Sequence, residues 1–230
     1  ETLSALEGWA RDPNYHVRRL VSEGTRPKLP WAKAVSLAPD QTLPLLDLLH
    51  ADPTRYVTRS VANHMNDLTK TVPDLALARL SRWREAGLQE PDENAWMTRH
   101  ALRTLIKSGH AEALEILGYR SDVPVSARLT LEKDKVALGD ILRFHCTVYS
   151  DVAVPILVDY RIVFARPDGR TAQKVFKLKQ GHAGPDSALT VRKAHKIKAD
   201  ATTFTWHPGA HQLILQVNGV DRATQNFELC

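Results

Sequence analysis

A pattern that recurs every 40 residues constrains the fold of this chain more than any other feature of its sequence. The segments 12–19, 52–59 and 92–99 share an Asp, an apolar residue five positions later and an Arg seven positions later. A period of about 40 residues is typical of HEAT-type helical pairs, whereas a propeller blade of similar length is rich in strands. The sequence therefore predicts stacked helical pairs, which form a curved surface on which function can reside.

Each repeat opens like the start of a helix. We interpret Asp12, Asp52 and Asp92 as N-cap residues, because a carboxylate at the N-cap accepts hydrogen bonds from free backbone amides. Pro13 and Pro53 follow directly and suit a first helical turn. The apolar residue of the pattern then faces the core, and the Arg lies two turns into the helix.

Residues 1–118 are predicted to form an α-solenoid of HEAT-like helical repeats. Their apolar residues follow the helical period, and glycine or proline separates the periodic segments. Residues 25–39 are expected to be irregular. Helices are predicted at 1–11, 13–23, 40–50, 53–70, 73–86, 93–108 and 110–117.

From residue 124 onward the hydrophobic period changes to two, which indicates strands. Seven short strands broken by turn signals suit an immunoglobulin-like β-sandwich over 124–230, with 119–123 as the linker. No cysteine in the later strands is placed to pair with Cys146, so we expect no disulfide between the sheets. The predicted strands are 125–137, 140–149, 154–166, 171–180, 188–198, 210–218 and 222–229.

The composition sets broad limits on function. The whole of the formal charge of +5 comes from residues 123–230, which is compatible with a polyanionic partner but also common in soluble domains. No segment approaches 18 uninterrupted apolar residues, so we expect a cytoplasmic protein without a membrane partner. Because the chain opens within a helical pattern and without Met, we expect it to be a fragment. His207 and His211 flank a Pro-Gly turn without a Cys or carboxylate partner, so no metal site is predicted.

Alignment of the repeats on their Asp residues gathers polar side chains on one face. Positions 7, 11 and 15 of a repeat are spaced by four residues and therefore share a helix face. Stacking of the repeats brings three such helices side by side. The resulting surface has a basic rim with two carboxylates inside it, formed by Arg19, Arg26, Arg59, Arg99, Arg103, Lys107, Glu23 and Asp67.

These side chains also have a structural interpretation. Glu23 would then form a surface ion pair with Arg19 one turn earlier, worth a few tenths of a kcal/mol. Trp31 would fill a repeat boundary rather than stack on a ligand. The other candidates for links between helices or repeats are Asn63, Asn66, Asp67, Arg59 and Arg99. Against this interpretation, two carboxylates in a cationic groove suit a cationic target within an anionic polymer, such as an alkylated base in DNA.

Three long segments, 16–31, 56–67 and 99–107, carry a family resemblance. They resemble the bacterial DNA alkylation repair glycosylases built from HEAT-like repeats, in particular the AlkC branch, which is related to AlkD. Some AlkC-type members carry an immunoglobulin-like domain after the repeats, in agreement with residues 124–230. Family members have further repeats ahead of the position at which this chain begins, so the resemblance leaves open whether the chain alone is active.

The resemblance implies hydrolysis of the N-glycosidic bond of cationic alkylated bases in double-stranded DNA, without a cofactor. 3-Methyladenine is the expected substrate and 3-methylcytosine a further candidate. By motif match, Glu23 and Asp67 are the expected catalytic carboxylates, which would stabilise an oxocarbenium-like sugar and position water. The implied DNA-binding residues are Arg19, Arg26, Trp31, Arg59, Asn63, Asn66, Arg99, Arg103 and Lys107.

The second half is expected to help hold DNA, although exposed sandwich faces are routinely rich in lysine. Its basic candidates are Lys174, Lys177, Lys179, Arg192, Lys193, Lys196 and Lys198. We expect a monomer that associates with the nucleoid through DNA. The alternative function is a non-catalytic HEAT-repeat scaffold that binds DNA or protein.

Overall fold

The computed structural model describes residues 2–29, 31–167, 169–199 and 204–230. It divides into two compact units, Glu1–Ile106 and Lys107–Cys230. The predicted order, helices first and strands afterwards, is confirmed. Within the described residues, no helix is both long and apolar enough to cross a membrane.

The helical elements agree with the predicted periodic segments, with one exception. The predicted helix 93–108 is in fact two helices, because the helical conformation is interrupted at Leu102, the C-cap residue of the first helix. The described residues between Gly24 and Pro39 form neither helix nor strand, as predicted. The helices are α1 Thr2–Trp9, α2 Tyr15–Gly24, α3 Pro39–Leu49, α4 Arg55–Leu68, α5 Pro73–Ala86, α6 Pro91–Ala101, α7 Arg103–Ser108 and α8 Ala111–Ile116.

Helices α2, α4 and α6 lie side by side, and α3 and α5 pack behind them. In the second and third repeats the apolar residue of the 40-residue pattern explains this packing, since Val57 and Met97 have no exposed surface. Val17 of the first repeat is half-buried. Val61 and Met65 extend the same buried face along α4. Full burial of one such side chain stabilises the fold by about 1.5–3 kcal/mol. The repeat therefore sets the core of the first compact unit.

The repeated Asp residues are not N-caps, which corrects the prediction. The N-cap of α2 is Asn14, whose side chain accepts a hydrogen bond from the amide of His16. Asp12 instead accepts from the amide of Asn14 at 2.7 Å and shapes the turn ahead of the helix. Helix α6 begins after Glu90, so that Asp92 lies within its first turn.

Asp52 links the first repeat to the second. Its Oδ1 accepts hydrogen bonds from the amide and hydroxyl of Thr54, at 2.9 and 2.6 Å. Its Oδ2 accepts from Nε of Arg18 in α2, at 2.5 Å. Burial raises the pKa of Asp52, but the hydrogen bonds from Arg18 and Thr54 outweigh burial, and the net shift is downward. The carboxylate therefore acts as an anchor between repeats.

The second compact unit contains a two-sheet sandwich, as predicted. One sheet has the order β1-β3-β6 and the other has the order β2-β8-β7-β4-β5. The predicted strand 125–137 is wrong, because it is divided between β1 in one sheet and β2 in the other. The strands are β1 Val125–Leu131, β2 Lys135–Val136, β3 Ile141–Ser150, β4 Val154–Ala165, β5 Thr171–Ala183, β6 Leu189–Lys196, β7 Gly209–Val217 and β8 Val220–Leu229.

The turn between β7 and β8 holds the segment that precedes the sandwich. Asn218 and Gly219 have positive φ angles of 49° and 79°, as a two-residue hairpin turn requires. The side-chain amide of Asn218 donates to the carbonyl of Arg120 at 2.8 Å. A Cβ atom on Gly219 would lie 2.8 Å from the carbonyl oxygen of Gly109. These contacts lie within the second compact unit, which begins at Lys107, and they hold Arg120 of the predicted linker 119–123 against the hairpin. The domain boundary at 118 remains a prediction.

We predict that Asp52→Ala lowers the free energy of unfolding by about 3 kcal/mol, because it leaves the Arg18 guanidinium, 15% exposed, without its counter-ion. Because the folded pKa of Asp52 lies below its unfolded value, this contribution is present at neutral pH. It is lost as the pH falls below about 4. Urea denaturation followed by far-UV circular dichroism measures the difference.

The matched control is Asp92→Ala, which removes the Asp at the same position of the third repeat. Asp92 is exposed in the first turn of α6, so its replacement should change the free energy of unfolding by about 0.5 kcal/mol or less. Equal losses in the two variants would contradict the role of Asp52 as an anchor.

Candidate active site

The two carboxylates proposed from the sequence converge on one arginine. Arg26 donates from one terminal nitrogen to Oε1 of Glu23 at 2.8 Å. Its Nε and its other terminal nitrogen lie 2.8 Å from Oδ2 of Asp67. The side chains of Arg26, Glu23 and Asp67 are 10%, 17% and 9% exposed. We call Glu23 and Asp67 the carboxylate pair.

The local fold explains this meeting. Glu23 lies in the last turn of α2 and Asp67 in the last turn of α4, and the two helices pack side by side. After α2 the hydroxyl of Thr25 donates to the carbonyl of Val21 at 2.7 Å, which turns the chain and places Arg26 between the carboxylates. The C-terminal ends of helices carry partial negative charge. The site therefore favours a cation.

Each carboxylate has a further partner on its second oxygen. Oε2 of Glu23 accepts hydrogen bonds from Arg19 at 3.2 Å and from the hydroxyl of Ser60 at 2.6 Å. Oδ1 of Asp67 accepts from Lys70 at 2.9 Å. Sequence reasoning missed Ser60 and Lys70. Lys70 follows Asp67 by three residues, a spacing that indicates an ion pair.

Arg19 is fixed by an aromatic cluster that sequence reasoning also missed. One terminal nitrogen donates to the carbonyl of Tyr56 at 2.6 Å, and the guanidinium lies 4.2 Å from the centre of the Tyr56 ring. The rings of Tyr15 and His16 lie 5.7 and 5.4 Å from the Tyr56 ring. Tyr56 nevertheless remains 45% exposed. Arg19 therefore belongs both to the Glu23 ion pair and to an accessible aromatic surface.

The two asparagines of α4 differ in position. Asn66 is 2% exposed, and its amide donates to the carbonyl of Ala101 at 2.7 Å and to the hydroxyl of Thr104 at 3.0 Å. It is thus a link between helices, which corrects its assignment as a DNA-binding residue. Asn63 is half-buried, and its side-chain oxygen lies 3.0 Å from Nε2 of His100. It links α4 to α6 while keeping part of its surface accessible.

The remaining candidates of the basic rim differ in accessibility. Arg59 is exposed, and Trp31 is 74% exposed, so Trp31 does not fill a repeat boundary. Arg103 is half-buried and donates to the carbonyl of His100 at 2.5 Å. Burial lowers the pKa of Arg103; Arg26 acts in the same direction, whereas Asp67 raises it. Arg103 is thus close enough to Asp67 and Arg26 for the charges of both to act on it.

The last two candidates of the basic rim, Arg99 and Lys107, belong to different compact units. Arg99 is half-buried in α6. Lys107 is exposed at the end of α7 and belongs to the second compact unit. Their roles in DNA binding remain predictions.

The chain is similar to known proteins along its whole length. Residues 125–230 match the family described as "Uncharacterised protein YhaZ, C-terminal Ig-like domain". Over 99% of its length the chain is 33% identical to the protein YhaZ of Bacillus subtilis (strain 168). Over its whole length it is 36% identical to the Pseudomonas fluorescens alkylpurine DNA glycosylase AlkC, solved bound to DNA containing an abasic site analog, with a TM-score of 0.91. In sequence and in fold, this chain is similar to AlkC.

The chain spans 64% of the length of each of these two relatives. The similarity to AlkC confirms the helical repeat fold of the first half, and the family match confirms an immunoglobulin-like second half. The fold class expected from the sequence is therefore confirmed.

Beneath the carboxylate pair lies a neutral histidine. His64 has no exposed surface, and its Nδ1 lies 3.1 Å from the carbonyl oxygen of Ser22. Burial lowers the pKa of His64 to about 4, so the ring is uncharged at neutral pH. With no accessible surface, it is a structural element rather than a general base.

The sandwich carries a second charged feature. On β3 the side chains of Leu142, Phe144, Cys146 and Val148 face the core, and the alternate positions face outward. None of the strands β1, β3 and β6 contains Asp or Glu. We call the outer side of this sheet the basic face, and it carries Arg128, Arg143, His145, Arg192 and Lys196.

The lysines of β5 have a different setting, on the other sheet. Lys177 lies opposite Asp159 of β4. The ammonium group of Lys174 lies 4.7 Å from the centre of the Phe204 ring. Positive charge on this sheet is therefore mixed with carboxylate and aromatic groups. Of the basic residues named from the sequence, Arg192 and Lys196 belong to the basic face.

Proposed function

We propose that this AlkC-type protein is a DNA N-glycosylase that hydrolyses the N-glycosidic bond of cationic alkylated bases in double-stranded DNA. 3-Methyladenine is the proposed substrate, and 3-methylcytosine is a further one. The observation that carries the proposal is the convergence of Glu23 and Asp67, from two successive repeats, on Arg26. The similarity to AlkC, which was solved bound to DNA, supports DNA as the partner.

The proposed reaction requires little acid–base catalysis by the protein. The bond between C1′ of the sugar and the base breaks, the base keeps the bonding electrons, and its positive charge is thereby neutralised. No general acid is needed for such a leaving group. The sugar becomes oxocarbenium-like, and the carboxylate pair stabilises its positive charge. Water then attacks C1′, and a carboxylate accepts the proton that the water loses.

Arg26 receives a different role from the one expected from the sequence. Its donors are directed at the carboxylate pair rather than outward, and it is 10% exposed. We therefore assign it to holding two like charges close together, which without a cation between them would repel. Arg59 remains the exposed candidate for a phosphate contact from α4.

We predict that Glu23→Gln and Asp67→Asn each abolish release of 3-methyladenine, because each removes a negative charge that stabilises the transition state. Affinity for undamaged duplex should change by no more than about threefold, since one carboxylate contributes little to phosphate binding. Base release from methylated duplex DNA and fluorescence anisotropy measure the two quantities.

Glu93→Gln is the matched control for this experiment. Glu93 has the same exposure as Glu23, 17%, and is likewise paired with an arginine, Arg55, and with a hydroxyl, that of Thr58. It lies at the opposite ends of the helices, in the first turn of α6. The Glu93→Gln variant should release base at the wild-type rate. Unchanged release in both Glu23→Gln and Asp67→Asn would refute the site assignment.

One observation favours the alternative, a non-catalytic scaffold that binds DNA or protein. Both oxygens of Glu23 and both oxygens of Asp67 already have partners within the protein. In a non-catalytic scaffold these carboxylates need no role beyond such contacts within the protein. Wild-type protein that binds duplex DNA but releases no alkylated base would support the scaffold.

We predict that Arg59→Ala weakens binding of duplex DNA and lowers the slope of log affinity against log salt by about 0.9, the value for one lost phosphate contact. The control is Arg82→Ala. Arg82 is 68% exposed and lies on α5, which packs behind the adjacent helices α2, α4 and α6. Its slope should equal that of the wild type. Equal slopes in all three proteins would argue for a protein partner.

The basic face extends the proposed DNA contact to the sandwich. Arg143 and Arg192 lie on neighbouring strands and are exposed, with His145 directly opposite Arg192. A sheet face that has cations and no carboxylates on its strands is complementary to a phosphate backbone. We propose that the protein acts as a monomer in the cytoplasm, bound to the nucleoid through both surfaces.

We predict that the double variant Arg143→Glu with Arg192→Glu weakens duplex affinity by about tenfold or more and lowers the salt slope by about 2, because two phosphate contacts are lost. Lys177→Glu with Lys179→Glu is the control, since it makes the same charge change at exposed positions of β5. Its slope should stay near that of the wild type. Equal weakening by both variants would indicate that only net charge matters.

A further inference from the structure

A pair of buried serines lies at the contact between α2 and α4, directly beneath Glu23. The hydroxyl oxygen of Ser60 is 2.6 Å from Oε2 of Glu23 and 3.2 Å from the hydroxyl oxygen of Ser22. Neither serine has any exposed surface. A carboxylate accepts hydrogen bonds only, and a hydroxyl has a single hydrogen to donate. The single hydrogen of Ser60 is therefore directed at Glu23, whose oxygen is the nearer of the two acceptors.

We propose that Ser60 is a positioning residue, which fixes the Glu23 carboxylate for the reaction assigned above. The inference rests on the proposed function and names a group that acts through Glu23 rather than on the DNA. A glutamate side chain has three rotatable bonds, so its carboxylate needs fixed partners to hold one orientation. Ser60 supplies such a partner from the protein interior.

The partners of Glu23 differ in whether a DNA phosphate can reach them. Arg19 and Arg26 are 21% and 10% exposed, so an incoming phosphate can compete for their guanidinium groups. Ser60 has no exposed surface, and no phosphate can reach it. Its hydrogen bond therefore persists in the DNA complex. It also carries no charge, so it orients the carboxylate without cancelling the negative charge that a cationic transition state requires.

The repeat pattern supports a specific role. Alignment on the Asp residues places Leu20, Ser60 and His100 at the same position of the three repeats, so a hydroxyl is not a requirement of the stacking. The same helix also offers a matched comparison, because the hydroxyl of Thr58 donates to Oε1 of Glu93 at 2.5 Å. That bond joins α4 to α6 outside the carboxylate pair.

The test compares Ser60→Thr with Ser60→Val, which have nearly the same shape and differ by the hydroxyl. Single-turnover release of 3-methyladenine at saturating protein should be about tenfold slower in the Val variant than in the Thr variant, the loss expected for one hydrogen bond to a charged group. Duplex affinity should agree within about twofold. The acidic limb of the pH–rate profile should move to higher pH in the Val variant, since a carboxylate without its donor is protonated more readily.

Thr58→Val controls for the loss of a hydroxyl at a helix contact and should leave both the rate and its pH profile unchanged. Thermal melting of each variant separates lost folding from lost positioning. Equal rates and equal pH profiles for Ser60→Thr and Ser60→Val would overturn the proposal for Ser60 while leaving the proposed function intact. A wild-type protein that binds DNA without releasing base would overturn both.

Discussion

An arginine of one repeat bound to a carboxylate of the next is the interaction on which the helical unit depends. Among the residues that the structure describes it occurs three times, as Arg18 with Asp52, Arg26 with Asp67, and Arg55 with Glu93. Charges withdrawn from water are expensive to bury, and the attraction of one pair offsets that penalty only when its hydrogen bonds are complete. Thr54, Lys70 and Thr58 supply the additional donors. The stacking of the repeats is thus specified by polar contacts placed over an apolar core.

One of these three links differs from the others in a way that matters for function. Arg26 binds a second carboxylate, that of Glu23, in addition to Asp67, so that one cation holds two anions at the C-terminal ends of neighbouring helices. Stability and chemistry then depend on the same atoms. The proposed active site is an inter-repeat link with one carboxylate more than the stacking requires.

The 40-residue period was sufficient to predict the helical half, and the period-two pattern predicted the sandwich, because burial alone sets both. Convergence of Glu23 and Asp67 on one surface also followed from the alignment of repeats. The caps did not, since an Asp two residues ahead of the N-cap binds the turn just as well as an Asp at the N-cap. Three features depend on how far one helix is rotated against its neighbour: the contact of Ser60 with Glu23, the burial of Asn66 and the inward direction of Arg26. The spacing of residues in a single sequence does not encode that rotation.

The close approach of Gly109 to Gly219 has a consequence for any attempt to separate the two halves. The ideal Cβ position on either glycine falls within 3 Å of the other's backbone, so neither residue can be exchanged for a larger one while its partner stays in place. Helix α8 is therefore a piece of the immunoglobulin-like half that happens to be helical. Expression of that half alone should begin ahead of Lys107; a cut at the change from helix to strand would remove one side of a fitted backbone contact.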